Sequence, residues 1–453
     1  MRVLLISPNT LTVPYPVYPL GLDYVAGSIP ARHEVRIADC NVLSREELEA
    51  LLAEYQPGVI GISCRNIDNT EAGDPLCFIN IYKELVSWLR SRSQAVLVCG
   101  GSGFNIMPEK VLPALGADYG LVVEGERFGL LVEALEKKQN PSEISGVLAA
   151  SSCSPDTLIE KAPPWDGQRN RTFQQEAGHY RFYLEHGGML NLQTKRGCSF
   201  RCVYCPYPHI EGKKHRLVDP QQVAKTALEL EAAGAKYLFL TDSAFNSDIE
   251  HSLAVARAFQ QAGLSIPWGG FFAPVRLPAD YFTVMADAGL AHVEFGTEAL
   301  SDTMLKNYRK PFRVQDVFTA HQQALDAGLH TAHYFLLGGP GESADTVSES
   351  LEHREQLKKT VTFYFVGIRI YPGTGLYDIA LEEGKINKAM DLLQPVFYEP
   401  DLITREQIDE MVTERAGNRI NWIVGSGGAQ AAEIVSKMHT KGYVGPLWEY
   451  LIR

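Results

Sequence analysis

From residue 2 to residue 370 of this 453-residue chain, short apolar runs alternate with runs of helical spacing, and that alternation restricts the fold more than any other feature. Unbroken apolar stretches at 2–6, 35–38, 59–63, 95–99 and 119–123 are separated by helical spacing at 21–29, 46–54, 78–90, 110–115 and 128–136. A strand that is apolar on both faces has to be covered on both faces. These segments therefore predict an α/β domain over residues 1–145, a doubly wound parallel sheet of Rossmann type. Six further strand-like runs at 189–192, 237–241, 266–272, 292–296, 331–337 and 364–370, again divided by helical stretches, predict a second parallel sheet over residues 187–385. Residues 146–186 read as a linker: 146–150 can form a short strand, and the serines and prolines that follow interrupt periodicity. Residues 386–453 read as a small α-helical region that closes the open side of the second sheet, with an amphipathic helix at 405–416.

Ligands of such sheets sit at the carboxyl ends of the strands. In the first domain those ends carry Pro8 and Asn9, Ser63, then Gly100, Gly101 and Gly103, then Glu124, Gly125 and Glu126. In the second they carry Asp242 and Ser243, Glu298, then Gly338, Gly339 and Glu342, and finally Arg369. Each has a plain structural alternative: Asp242 and Glu342 as helix caps, Glu298 as a loop acid, the glycines as tight turns needing positive φ. Lys310, in a charged turn, reads as solvated. Trp268, Phe271 and Phe272 read as barrel packing, with a substrate wall as the alternative.

The loop after the first strand of the second sheet places Cys198, Cys202 and Cys205 in a C-x3-C-x2-C array, with Tyr204 just before the last cysteine. Three thiolates on one short loop suit three irons of a [4Fe–4S] cluster and leave the fourth iron without a protein ligand. A structural zinc would want four ligands in paired C-x2-C spacing, and no second pair exists. The other five cysteines, Cys40, Cys64, Cys77, Cys99 and Cys153, are scattered and read as buried small hydrophobes.

The cysteine spacing with Tyr204 resembles the radical S-adenosylmethionine (SAM) superfamily, and the strand-end residues follow that family's order. The resemblance implies a partial (βα)6 barrel of TIM type. It also implies that the open iron chelates SAM, that Glu298 binds the SAM ribose and that Gly338 and Gly339 pack along the adenine. Tyr204, Asp242, Ser243, Glu342 and Arg369 complete the implied SAM site, although the family often has an acid where Ser243 stands. The first domain resembles the cobalamin-binding domain found at the N-terminus of many radical SAM enzymes. Its strand-end residues, from Pro8 to Glu126, become the implied cobalamin contacts. The D-x-H-x-x-G motif that ligates cobalt in many cobalamin proteins is absent, as in many radical SAM members. A domain that keeps the fold without the corrin is the alternative.

What the resemblance implies is an enzyme that cleaves SAM reductively to drive a radical reaction, with methylation of an unactivated centre of a small molecule as the favoured outcome. Transfer of another SAM fragment, such as the 3-amino-3-carboxypropyl group, is the alternative if cobalamin is not bound; a ring rearrangement ranks lower. An external electron donor of flavodoxin or ferredoxin type is implied. The formal charge of −12 argues against a protein that coats nucleic acid. No apolar run has the length of a membrane span, and the expected location is the cytoplasm.

Overall fold

In the computed structural model of the chain, the described residues are 1–453 without 13–14, 155–156, 158–162, 164, 166–169, 174–177, 426–427 and 453. Parts of the serine- and proline-rich linker therefore lie outside the described residues. The first sheet contains β1 (Arg2–Ser7), β2 (Glu34–Asp39), β3 (Val59–Ser63), β4 (Val96–Gly100), β5 (Tyr119–Leu121) and β6 (Val147–Ala149), in the order β2-β1-β3-β4-β5-β6. All neighbours run parallel except β6, which pairs antiparallel with β5 and makes an edge that the reading of a wholly parallel sheet did not include. Alternation along β1 shows why both faces had to be apolar. Val3 and Leu5 pack with helices Leu20–Ser28 and Arg127–Glu136, while Leu4 and Ile6 pack with helices Arg45–Tyr55, Phe78–Arg92 and Pro108–Leu115. Each such side chain, removed wholly from water, stabilises the fold by about 1.5–3 kcal/mol.

The second sheet begins at β7 (Met189–Leu192). A short antiparallel ribbon, β8 (Lys195–Arg196) with β9 (Arg216–Leu217), brackets the cysteine loop. Then follow β10 (Tyr237–Leu240), β11 (Trp268–Phe272), β12 (Leu290–Glu298), β13 (His330–Leu337) and β14 (Thr360–Val366), all parallel. A second ribbon pairs β15 (Ile368–Arg369) with β16 (Phe397–Tyr398). The tail is not purely helical: β17 (Trp422–Val424) adds a seventh parallel strand beside β14, giving the order β17-β14-β13-β12-β11-β10-β7. The sheet curls into an open barrel whose two ends, β17 and β7, do not pair.

At the foot of the barrel a 3-10 turn, Leu447–Leu451, acts as a stopper. Trp448 Nε1 donates to Glu294 Oε1 at 2.9 Å, and Tyr237 Oη donates to Glu449 Oε1 at 3.1 Å. The carboxyl ends of the strands, where the cysteine loop leaves, are thus the accessible end. All eight cysteines are free thiols. Among the described residues, no helix is long and apolar enough to cross a membrane.

Candidate active site at the junction of the two sheets

Gly197 starts the cysteine loop at φ +89°, and a Cβ there would lie 2.2 Å from the Lys214 carbonyl oxygen, so only glycine lets the ribbon close. Its N–H donates to Glu211 Oε2 at 2.9 Å, and the Cys198 N–H donates to the Gly212 carbonyl at 3.1 Å. Two more bonds pin the loop from the far side of the barrel. The Val203 N–H donates to the Tyr308 carbonyl at 3.1 Å, and the Leu376 N–H donates to the Val203 carbonyl at 2.8 Å. The loop is therefore fixed before any metal binds. Burial pushes the Cys205 thiol up to about 12, and the neighbouring Cys202 adds to the rise. Three gathered thiolates need a cationic partner, and iron supplies one.

The spacing of the thiols also bears on which metal fits. Among the described residues, the one trio of His, Cys, Asp or Glu ligand atoms lying mutually within 4.8 Å is His33, Glu133 and Glu136, on the surface of the first domain. The three sulfurs are thus more widely spread than one ion would hold them, since metal–sulfur bonds of about 2.3 Å draw tetrahedral ligands to within about 4 Å of each other. A cluster with one thiolate per iron accommodates sulfurs spread this far apart.

Beside the loop, Glu298 ends β12 where its register with β13 shifts, and its backbone sits at φ +64°. A left-handed glutamate is a strained residue, a cost of order 1 kcal/mol that tends to collect at functional sites. Its Oε1 accepts from Lys310 Nζ at 3.1 Å, and Lys310 Nζ also donates to Tyr204 Oη at 3.2 Å. Tyr204 meets Tyr308 edge-on, with ring centroids 5.8 Å apart. Gly338 turns at φ +90°, and a Cβ on Gly339 would lie 2.2 Å from the Tyr308 ring, so the glycine turn lies directly against that ring. The structure thus brings Tyr204, Glu298, Gly338 and Gly339 together next to Cys202 and Cys205. It adds Lys310, which the sequence reading had left in solvent.

Four other residues of the expected SAM set are placed differently. Asp242 is fully buried; it accepts from the Thr194 N–H at 2.8 Å and from Lys195 Nζ at 3.1 Å, and so braces the ribbon below the cysteines. Ser243 Oγ donates to the Gly197 carbonyl at 3.5 Å. Glu342 is wholly buried, taking bonds from Thr346 Oγ1 at 2.5 Å and the Gly338 N–H at 3.2 Å, which closes the glycine turn from behind. Arg369 pairs with Asp68 of the first domain at 2.8 Å and donates to the carbonyls of Ile370 and Leu392. Each of these polar groups is used inside the protein. Of the four, Asp242, Glu342 and Arg369 are buried and brace the site from behind, whereas Ser243 is half-buried.

A cleft lies between the carboxyl ends of the first sheet and the cysteine ribbon. Ser63, Gly100, Gly101, Glu124, Gly125 and Glu126 line it, together with Gln193, Arg196, Glu211 and Arg216 of the ribbon. Pro8, Asn9 and Gly103 do not line it: Gly103 packs against the Asn66 backbone, where a Cβ would be 2.7 Å away. Glu124 and Glu126 turn their carboxylates toward the second domain. Arg196 Nη1 reaches Glu124 Oε2 at 2.6 Å, Arg196 Nη2 reaches Glu126 Oε1 at 2.8 Å, and Arg216 Nη2 reaches Glu124 Oε1 at 2.8 Å. Burial alone would lower the Arg196 pKa, but the two carboxylates outweigh it and raise it. Sequence reading missed this clamp because Arg196 sits some 70 residues from its partners; the repeated glutamates flanking Gly125 were the available signal. The glycine floor suits a broad, flat ligand, because backbone without Cβ atoms lets a ring system approach closely. Among the described residues, no histidine lines the cleft.

Inside the barrel, aromatic side chains form a continuous wall. Tyr334 stacks on Phe363 with centroids 4.7 Å apart, Phe271 meets Tyr334 at 6.1 Å and Phe239 at 5.2 Å, and Tyr15 of the first domain reaches Phe239 at 6.2 Å. Phe271 is 37% exposed although it lies on a central strand, whereas Trp268 and Phe272 are buried in the outer core. Of that aromatic trio, only Phe271 faces open space.

Comparison with known proteins agrees with this geometry. The sequence model of the radical SAM superfamily matches residues 192–353, and that of the B12 binding domain matches residues 6–130. The chain is 24% identical to a tryptophan 2-C-methyltransferase of Streptomyces laurentii, over 83% of this chain and 73% of the relative. It is 23% identical to a cytidylyl-2-hydroxyethylphosphonate methyltransferase of Streptomyces wedmorensis, over 91% and 89%. Its fold matches that of the radical SAM methyltransferase TsrM of Kitasatospora setae, solved with tryptophan and a SAM analogue, at a TM-score of 0.85 and 20% identity over 99% of this chain and 97% of that one. The cobalamin-dependent radical SAM enzyme OxsB matches at a TM-score of 0.71 and 14% identity, over 97% and 71%.

Proposed function

The chain belongs to the radical SAM superfamily, in the branch that carries a B12-binding domain ahead of the radical SAM domain, and on that premise we propose that it methylates an unactivated centre of a small molecule bearing an aromatic ring. When bound, the cluster supplies one electron for cleavage of SAM and cobalamin supplies a transferable methyl group. Cys198, Cys202 and Cys205 would hold the cluster. Tyr204, Glu298 and the Gly338–Gly339 turn would hold SAM, a carboxylate being a suitable two-acceptor partner for a ribose diol. The cleft floor at Ser63, Gly100 and Gly101 would hold the corrin. An external donor of flavodoxin or ferredoxin type would supply the electron.

One observation carries this reading: the two cofactor sites share a wall. Arg196, two residues before Cys198, is gripped by Glu124 and Glu126, which border the cleft. Ligands in the cleft and on the cysteine loop are therefore held in fixed relation, as a transfer between them requires. The aromatic wall orients the substrate. Phe271 and Tyr334 offer ring faces and edges, while the Glu294 carboxylate beneath them is already taken by Trp448 and by Tyr334 Oη at 2.9 Å. The wall thus selects by stacking rather than by charge. That the TsrM structure holds tryptophan supports an aromatic acceptor here.

The test is an anaerobic assay with SAM deuterated in its methyl group, tryptophan and other aromatic small molecules as acceptors, and cobalamin supplied or withheld. Deuterium in the product, dependent on cobalamin, is the expected result. A product carrying the aminocarboxypropyl group, or methylation that ignores cobalamin, would overturn the assignment.

A further inference from the structure

Lys310 follows the helix Asp302–Asn307 in a turn that is tied to the cysteine loop by its own backbone. The Lys310 N–H donates to the Leu305 carbonyl at 2.9 Å, while the Tyr308 carbonyl two residues earlier receives the Val203 N–H, between Cys202 and Cys205. Arg309, in the middle of this turn, is held at φ +55°, a second strained non-glycine residue next to the strained Glu298. The result is an ammonium whose side chain is 7% exposed, set between Tyr204 Oη and Glu298 and lying 5.3 Å from the centre of the Phe312 ring.

Two other cations near the loop are neutralised where they stand. Lys195 is closed by Asp242 and by the carbonyls of Ala244 and Phe245, and Arg196 by Glu124 and Glu126. Lys310 is different, because its field reaches the thiols. Its ammonium donates to Tyr204 Oη, one residue before Cys205, and lies 5.7 Å from the centre of the Tyr204 ring, while Glu298 holds its other side at 3.1 Å. Solvent cannot screen charges held at this depth, so their signs persist at the sulfurs.

We propose that Lys310 is a positioning charge that sets the reduction potential of the cluster on Cys198, Cys202 and Cys205, with Glu298 as its built-in counterweight. This rests on the cluster assignment above, and on neither cobalamin nor the methyl acceptor. Reduction adds one negative charge to the cluster. A fixed buried cation beside the sulfurs favours the reduced form and raises the potential, and a fixed carboxylate lowers it, because net charge around a cluster and hydrogen bonds to its sulfurs tune its potential. The pairing explains why a cation stands here at all: Lys310 raises the potential, and Glu298 keeps it low enough for the cluster to remain a strong reductant.

The experiment is a redox titration of the reconstituted full chain without SAM, followed by electron paramagnetic resonance. In K310M the midpoint should move negative by at least a tenfold change in the oxidised-to-reduced ratio at fixed potential, about 59 mV for a one-electron couple. In E298Q it should move positive, and K310R should keep the wild-type midpoint. Opposite shifts in K310M and E298Q are what a merely structural role cannot produce. Unchanged midpoints at full iron content, or shifts in the same direction, would overturn the proposal. If K310M holds no cluster, E298Q decides alone: a positive shift supports the proposal, and no shift or a negative one overturns it. A wild-type chain that binds no cluster would refute the assignment on which this rests, whereas a clustered chain that fails to methylate would leave the midpoints as a valid test.

Discussion

Glu298 shows how much a single residue can be asked to do. Its backbone is strained, its carboxylate faces the cysteine loop, and it is paired with Lys310. A carboxylate held in place at some conformational cost is suited to a ligand that rewards that placement. Glu298→Ala should weaken SAM binding by roughly tenfold or more, since a hydrogen bond to a charged group contributes about 1.5–3 kcal/mol, while the iron content stays at the wild-type level. Isothermal titration with SAM checks this, and unchanged affinity would place the ribose elsewhere. At this scale the cysteine array was legible because its spacing is a local property. Asp242, Glu342 and Arg369 were not, because a charged residue at a strand end has the same sequence signature whether it meets a ligand or a buried partner. Arg369 finds its partner, Asp68, 301 residues away, and no local pattern announces that pairing.

Among the elements, apolar runs located every parallel strand of the first sheet and the first six of the second, because burial on both faces leaves an unmistakable composition. What composition could not supply was pairing at the margins. The three-residue strands β6 and β17 are too short to carry a period, and β17 owes its place to a neighbour, β14, some sixty residues earlier. Lys310 was misjudged for a related reason: a charged turn looks solvated until a second element covers it. The ribbon β8–β9 is the element on which the site depends most. Removing Arg196 would leave Glu126 buried with its charge unpaired, at a cost of about 3–5 kcal/mol. R196M should therefore lower the unfolding midpoint, and hydrogen exchange should rise in residues 195–217 and 124–126 together. Faster exchange in the ribbon alone would show that the clamp does not couple the two domains.

Seen whole, the molecule is two mainly parallel sheets that share an interface rather than two domains on a tether. Tyr371 and Leu392, from beyond the last strand of the barrel proper, pack within the apolar cluster of the first sheet. Asp68 accepts from both Arg369 and Tyr371 Oη, the latter at 3.1 Å. Asp23, on the first helix, is buried against Arg171 of the linker at 2.8 Å, and Arg171 in turn donates to the Asn191 carbonyl on β7. Apolar contact and buried ion pairs together hold the cleft against the cysteine loop. On this reading one chain holds a cluster and a corrin side by side. Anaerobic reconstitution with iron, sulfide and cobalamin, followed by gel filtration with absorption and iron analysis, tests it most directly. Corrin bands should co-elute with a [4Fe–4S] cluster at about one of each per chain. A full cluster eluting free of corrin would contradict it.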